Sequence, residues 1–139
     1  MSTQPTDSTQ PTDSTLPPLP AGWAWQSVCA SDALAEGGDG VRFVVPTPGG
    51  GSAPAFAVRF DGAARAYLNR CAHVPVELDW QEGRFFDESG LYLVCATHGA
   101  MYDPADGSCA GGPCSGRGLV SLQACESAGT VQVAVRTGD

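Results

Sequence analysis

The chain has 139 residues and a formal net charge of −8, with seven basic residues set against fifteen acidic ones. This length allows one domain, and the acidic balance argues against a nucleic-acid binder, whose binding surface is basic. No apolar run approaches the roughly 18 residues of a membrane-spanning helix, and no secretory signal is visible at the N-terminus. We therefore expect a cytoplasmic protein that binds neither nucleic acid nor a membrane.

The N-terminal segment is a polar repeat. Residues 2–7 read STQPTD, residues 8–13 repeat them, and the proline-rich LPPLP follows at 16–20. Such a composition cannot bury an apolar face. Residues 1–21 are therefore predicted to be a disordered tail, either a plain tether or a proline-rich docking segment, and the domain is expected at 22–139.

Beyond the tail, short apolar runs alternate with turn signals, a pattern that predicts β-strands. The predicted strands are Trp23–Cys29, Val41–Val45, Ala55–Phe60, Ala66–Asn69, Leu91–Cys95, Leu119–Ala124 and Thr130–Val135. Asp61-Gly62 is typical of a tight hairpin turn. Only 32–36 could form a helical turn, with Ser31 or Asp32 as its cap. Seven short strands in one domain predict an all-β fold, as an antiparallel sandwich or a small barrel.

Two short loops contain side chains that bind metals. Cys71-Ala72-His73 follows one predicted strand, Cys95-Ala96-Thr97-His98 follows another, and together they use both histidines of the chain. Zinc binds two Cys and two His tetrahedrally, whereas a Rieske-type [2Fe–2S] cluster has two Cys on one iron and two His on the other. Each loop here mixes Cys with His at the end of a strand, which favours the two-iron cluster and leaves zinc open.

These residues resemble the Rieske ferredoxin family over about 22–139. The likeness rests on CAH at 71–73, CATHGAMYD at 95–103, DPADG at 103–107 and GGP at 111–113, with similar stretches at 28–37 and 60–73. It implies a Rieske-like antiparallel β-sandwich or small barrel. The cluster-binding part would cover about 70–114 and consist of two ligand loops and a proline loop, GGP.

The resemblance also implies the cofactor and its ligands. The chain would hold one [2Fe–2S] cluster, with Cys71 and Cys95 on one iron and His73 and His98 on the other. Pro113 would belong to the proline loop that covers the cluster.

Three further positions bear on the reduction potential. High-potential relatives have Ser where Ala100 stands, a hydroxyl that donates to a bridging sulfide, and a Tyr donor to a cysteine sulfur, which Tyr102 matches. They also join their ligand loops by a disulfide, and the matching positions here are Val76 and Thr97. The chain therefore resembles the soluble bacterial, low-potential branch of the family.

The expected function is electron transfer. The chain would carry one electron between a reductase and a terminal oxidoreductase such as an oxygenase, with no catalytic residue and no small-molecule substrate of its own. No histidine is left for the 2-His-1-carboxylate iron site of an oxygenase. Two alternatives remain open, a zinc-stabilised binding module and a small redox subunit permanently bound to a larger enzyme.

Two features have a default interpretation and an alternative. Cys109 and Cys114 flank the proline loop and are expected to be thiols or packing residues, with a redox-dependent disulfide as the alternative. The gap between the two ligand loops is a few residues longer than in most small Rieske ferredoxins. Residues 77–90 form this surplus and are expected to form an extended hairpin. Its acidic residues are expected to form a solvated face, or alternatively a docking patch for a basic partner: Glu77, Asp79, Glu82, Asp87 and Glu88.

Overall fold

The computed structural model describes residues 16–47, 50–71, 76–79, 81–97, 99–114 and 116–137. The strands run as follows: β1 Trp23–Ala30, β2 Val41–Pro46, β3 Ser52–Phe60, β4 Ala63–Leu68, β5 Leu93–Val94, β6 Met101–Tyr102, β7 Cys109–Gly111, β8 Ser121–Leu122, β9 Ala124–Ser127 and β10 Thr130–Arg136. A single 3-10 turn at Ser31–Ala33 is the helical element of these residues. Within the same ranges, no helix has the length and apolar character needed to cross a membrane.

The strands form three sheets. Sheet 1 has the order β1-β10-β9, sheet 2 has β2-β3-β4-β8, and sheet 3 has β5-β6-β7. Every strand pairing within them is antiparallel. The predicted all-β, antiparallel fold is confirmed.

The hairpin of β3 and β4 shows how the sequence sets the register. Asp61 and Gly62 both have positive φ, at 55° and 78°, the combination that a two-residue turn needs to match the twist of its strands. Phe60 pairs with Ala63 across this turn, so the turn fixes which residues of β3 and β4 face each other.

Strand β3 is buried on both faces, and its successive side chains point alternately into two separate parts of the core. Ala55 packs with Val45 and Val133, and Ala57 packs near Leu34 and Val131, on the side of sheet 1. The intervening residues Phe56 and Val58 point the other way, because successive side chains of a strand alternate between its faces. Their cluster is shared with sheet 3 and with the predicted metal-binding loops: Tyr67, Cys71, Leu78, Phe85, Leu93, Cys95, Ala100, Tyr102, Cys114 and Leu119.

The end of the predicted tail lies against the domain. The indole Nε1 of Trp25 donates a hydrogen bond to the Pro17 carbonyl oxygen (3.0 Å). Residues 1–15 lie outside the described residues, so the disorder predicted for that part of the tail stays a prediction.

Three details differ from the prediction. The run Leu119–Ala124 contributes to two short strands, because β8 pairs with β4 in sheet 2 while β9 pairs with β10 in sheet 1. Strands β6 and β7 are additional, and the helical turn begins at Ser31 and ends at Ala33. The last difference arises because Glu36 forms a bridge with Arg59 of β3, which draws the end of the predicted turn into extended backbone.

Candidate metal centre

Cys71 begins the first ligand loop (71–73), just after β4. Its side chain is buried, with 3% of the residue exposed. Its backbone N–H donates to the Val76 carbonyl oxygen (2.8 Å). This bond holds Val76, which follows the loop, beside Cys71, which begins it.

Cys95 begins the second ligand loop (95–98), directly after β5, and is fully buried. Its N–H donates to the Ala100 carbonyl oxygen (2.8 Å), and its own carbonyl accepts from the Gly99 N–H (2.7 Å). These two bonds close a tight turn that leads straight into β6. Each predicted cysteine ligand is thus fixed by a backbone hydrogen bond across its loop.

The structure brings the two cysteines into one buried cluster. Cys71, Cys95, Ala100 and Tyr102 all belong to the core between β3 and sheet 3. The Tyr102 hydroxyl oxygen lies 3.4 Å from the Cys71 sulfur. A sulfur bound to iron has no proton to give, so in that state the tyrosine hydroxyl is the donor. This contact matches the role that the resemblance implies for Tyr102.

Both predicted histidine ligands, His73 and His98, lie outside the described residues, and their roles stay predictions. Within the described residues, no group of three or more His, Cys, Asp and Glu side chains is gathered as a metal site. The two cysteines nevertheless fit an iron–sulfur cluster, since such clusters are held by thiolates and these sulfurs share one water-poor core next to a hydroxyl donor.

The cysteines that flank the proline loop form a disulfide, which corrects the default interpretation of two thiols. Cys109 and Cys114 are joined with a Cα–Cα distance of 5.7 Å. The bond closes a ring around the proline loop (111–113). Gly112 within it has φ of 81°, and a Cβ there would lie 2.6 Å from the Gly99 carbonyl oxygen. Only glycine therefore lets this loop lie so close to the second ligand loop, and Pro113 beside it is exposed.

Residues 77–90 are a loop with a short hairpin at one end, rather than one extended hairpin. Among the described residues, Phe86 forms a bridge with Leu93, and backbone bonds join the Asp87 N–H to the Tyr92 carbonyl oxygen (2.9 Å) and the Val94 N–H to the Phe85 carbonyl oxygen (2.8 Å). Leu78 and Phe85 are fully buried, and Phe85 stacks on Phe56 of β3. Their burial anchors this segment to the core.

The acidic residues of this segment do not all form a solvated face. Arg42 of β2 lies within ion-pair distance of Glu77 (2.7 Å), Asp79 (3.4 Å) and Glu82 (3.7 Å). The Asp79 side chain is fully buried, whereas that of Glu82 is 79% exposed. The predicted solvated face is therefore wrong for Asp79. The hydroxyl of Ser89 and backbone N–H groups lower the pKa of Asp87 below its ordinary value, which keeps this carboxylate charged.

The family model of the Rieske [2Fe-2S] domain matches residues 24–132. This chain belongs to the Rieske [2Fe-2S] domain family. A Rieske domain carries one [2Fe–2S] cluster, so the cluster replaces zinc as the interpretation of the two loops. No curated protein matches the chain.

Solved structures share this fold. The chain is similar to one from a complex of reduced oxygenase and oxidized ferredoxin in carbazole 1,9a-dioxygenase, at 24% identity and a TM-score of 0.62, covering 83% of this chain and 96% of that one. It is similar to the ferredoxin of carbazole 1,9a-dioxygenase from Nocardioides aromaticivorans IC177, at 21% identity and 0.59, covering 78% and 95%. A putative NADH-dependent nitrite reductase small subunit from Mycobacterium tuberculosis matches at 24% and 0.58, covering 81% and 95%.

Proposed function

We propose that this Rieske domain is a cytoplasmic electron carrier that passes one electron from a reductase to a terminal oxidoreductase such as an oxygenase. In this proposal Cys71 and Cys95 bind one iron of the cluster, and His73 and His98 bind the other. The observation that supports it best is the shared burial of the two cysteines in one core, with a hydroxyl donor 3.4 Å from one sulfur.

The chain contributes position and hydrogen bonds to this function. The bound cluster supplies a site that takes up and releases one electron. The backbone bonds across each loop hold Cys71 and Cys95 in place, and their burial keeps water from the sulfurs. Tyr102 offers its hydroxyl to the Cys71 sulfur, which favours the more negative, reduced state. The proline loop lies directly against Gly99 and would cover the second ligand loop.

The proposed partner class rests on likeness. One similar chain belongs to a complex of an oxygenase with a ferredoxin, and another is the ferredoxin of a dioxygenase. We also assign the chain to the low-potential branch, because Ala100 lacks the hydroxyl and Val76 and Thr97 lack the thiols of high-potential relatives.

A second candidate is a small redox subunit that stays bound to a larger enzyme. The similarity to a putative nitrite reductase small subunit, with a TM-score of 0.58, supports this second candidate. Purification from the native source at moderate salt separates the two candidates. A stable complex with a large enzyme supports the subunit, and a free chain that exchanges electrons with two separate proteins supports the carrier.

Metal content and spectroscopy test the cluster itself. We expect a coloured protein with about two irons and two acid-labile sulfides per chain, as a [2Fe–2S] cluster requires. The EPR spectrum of the reduced protein should have an average g-value below that of all-cysteine clusters, because two ligands are imidazoles. A colourless protein with one zinc per chain would overturn the proposal.

Substitution of single ligands tests the assignment. His73→Ala and His98→Ala should each abolish the Rieske EPR spectrum, because each removes one of the four protein ligands. Cys125→Ser is the matched control, since Cys125 lies on β9 in sheet 1. A normal spectrum in His98→Ala would show that the ligand is another residue.

A further inference from the structure

A buried polar pair lies behind the first ligand loop. Asn69, two residues before Cys71, is 1% exposed, and the side chain of Asp79 is fully buried. The Asn69 amide Nδ2 donates to Asp79 Oδ1 (3.0 Å). A buried carboxylate is costly unless hydrogen bonds compensate for its lost hydration. The hydrogen-bond partners of this pair therefore identify the segments that it connects.

Each remaining side-chain oxygen of the pair contacts the loop at 77–83 or β2. Asn69 Oδ1 accepts from the Leu78 N–H (2.8 Å). Asp79 Oδ2 accepts from the Gly83 N–H (2.9 Å) and lies 3.4 Å from Arg42 Nε. The pair thus joins the last residues before Cys71 to the start and the end of this short loop.

The same loop also reaches the second ligand loop. The carbonyl oxygen of Leu78 accepts from the N–H of Ala96 (3.0 Å), the residue after Cys95. The carbonyl oxygen of Val76 accepts from the Cys71 N–H (2.8 Å). Residues 76–79 therefore form a bridge with one hydrogen bond to each ligand loop, and the bridge itself is tied to Asn69.

We propose that Asn69 and Asp79 are a positioning pair that fixes the first ligand loop relative to the second through the bridge at 76–79. This proposal rests on the proposed ligand assignment and names a role for the longer segment that follows Val76. The pair touches neither sulfur in the contacts described, so its effect would be carried by the backbone bonds of Leu78 and Ala96.

The direction of the central hydrogen bond makes a reciprocal test possible. Asp79→Asn is nearly isosteric, but the new amide has only one acceptor oxygen. Its NH₂ group must therefore face either the Asn69 amide donor or the Gly83 N–H, and one of these two hydrogen bonds is lost. Asn69→Asp places two carboxylates face to face. The double variant Asn69→Asp/Asp79→Asn restores the three hydrogen bonds of the pair, although not the ion pair of Asp79 with Arg42, since the new carboxylate accepts from Leu78 and from the amide at 79. The amide oxygen at 79 then accepts from Gly83.

Amide hydrogen exchange reads out the bridge without the cluster. In Asp79→Asn we expect exchange at Leu78, Gly83 and Ala96 to be about tenfold faster, as the loss of a hydrogen bond to a charged group implies. In the double variant it should return to the wild-type rate. The Ala96 amide is decisive, because a purely local structural role would change only Leu78 and Gly83.

Iron retention reads out the cluster. Loss of iron to a chelator should be about tenfold faster in Asp79→Asn, since outer partners of ligands commonly change metal affinity by that factor. It should be normal in the double variant. Glu82→Gln is the control, because it removes an exposed carboxylate of the same loop that also faces Arg42.

Three results would overturn the positioning role. They are wild-type exchange at Ala96 in Asp79→Asn, wild-type iron loss in that variant, or a folded double variant that remains as fast as the single one. If Asp79→Asn does not fold, Asn69→Ser replaces it, since it removes the bond to Asp79 and the bond from the Leu78 N–H and leaves room for water. A wild-type protein without iron would instead refute the proposed function, and the exchange data would still decide the role of the pair.

Discussion

The contact between Tyr102 and Cys71 is the residue-level feature that bears most directly on the reduction potential. The hydroxyl lies 3.4 Å from the sulfur, and both residues are buried. Hydrogen bonds to cluster sulfurs raise the potential because they stabilise the added negative charge. Tyr102 keeps this feature, while Ala100 lacks the hydroxyl of high-potential relatives. Rieske centres span about −150 to +300 mV, and we expect this one near the lower end.

Two substitutions should move the potential in opposite directions. Ala100→Ser should raise it and Tyr102→Phe should lower it, each by up to roughly 130 mV, because a charge-assisted hydrogen bond contributes ~1.5–3 kcal/mol and ~59 mV corresponds to ~1.4 kcal/mol for one electron. Redox titration followed by EPR measures both. An unchanged potential in Ala100→Ser, or a wild-type value well above zero, would contradict the low-potential assignment.

At the scale of elements, the disulfide restrains the proline loop. It joins the first residue of β7 to fully buried Cys114 and encloses the glycine that contacts the second ligand loop. Cys109→Ser/Cys114→Ser should lower the free energy of unfolding by about 2 kcal/mol, from the entropy of a ring this small. Urea unfolding measures this loss.

The cluster itself should survive that change, because neither cysteine is a proposed ligand. Wild-type protein reduced by a dithiol is the second arm, and it should resemble the double serine variant in stability and in its Rieske EPR spectrum. Loss of the spectrum in the double variant would mean that the ring is required to hold the cluster, and equal stability would mean that the bond does not restrain the loop.

Another element-level link joins sheets 1 and 2. Arg59 of β3 donates from Nη2 to Glu126 Oε1 (2.7 Å) and from Nη1 to Oε2 (3.0 Å), with further bonds to the carbonyl oxygens of Ser31 and Leu34. The hydrogen bond from Arg59 lowers the pKa of Glu126 below its ordinary value. A carboxyl with a depressed folded-state pKa stabilises the protein above its unfolded pKa, and this contribution is lost as the pH falls through the folded one.

Stability should therefore decrease as the pH falls below about 4, where unfolded glutamate becomes protonated. Glu126→Gln should lower stability at neutral pH by about 1 kcal/mol and should flatten this acid dependence. Thermal unfolding across pH 2.5–7, a range that brackets the ordinary carboxyl pKa by about two units, measures both effects. An acid dependence identical to wild type in Glu126→Gln would assign it to other carboxylates, such as Asp87.

At the scale of the whole molecule, the net charge of −8 predicts how the chain, as the proposed carrier, would meet its partner. Charge steers association and loses its effect as salt screens it. Reduction by the native reductase should slow as salt rises, and Glu82→Gln/Asp87→Asn/Glu88→Gln should weaken that dependence. The matched control is Asp7→Asn/Asp13→Asn/Asp32→Asn, which changes the charge equally. Rates that ignore ionic strength would remove the acidic surface from recognition.

The large-scale fold could be predicted because local pattern and packing agree. The longer strands read as apolar runs bounded by turn signals, and Asp61-Gly62 dictates its turn. Strands β6 and β7 have two and three residues, too few to show a period. The run Leu119–Ala124 serves two sheets, and apolar content cannot show where a chain passes from one sheet to another.

The sequence predicts those site residues that belong to a local motif. It does not predict those whose contacts come from distant parts of the chain. Cys71 and Cys95 lie in one core, as their motifs indicate. Asp79 looked like a surface charge because its partners, Arg42 and Asn69, come from other parts of the chain. The sequence does not predict the disulfide because two cysteines five residues apart also suit packing, and the expected cytoplasmic location favours thiols.

The double burial of β3 has a consequence for biosynthesis. Neither proposed cysteine ligand lies in the core on its sheet 1 side, and both lie on the other side. Cooperative units of a protein can open separately, so the sandwich of sheets 1 and 2 should persist before iron and sulfide arrive. The assembly machinery would then meet an acceptor whose sandwich is already folded, and slow amide exchange in β3 and β10 of the iron-free chain would show it.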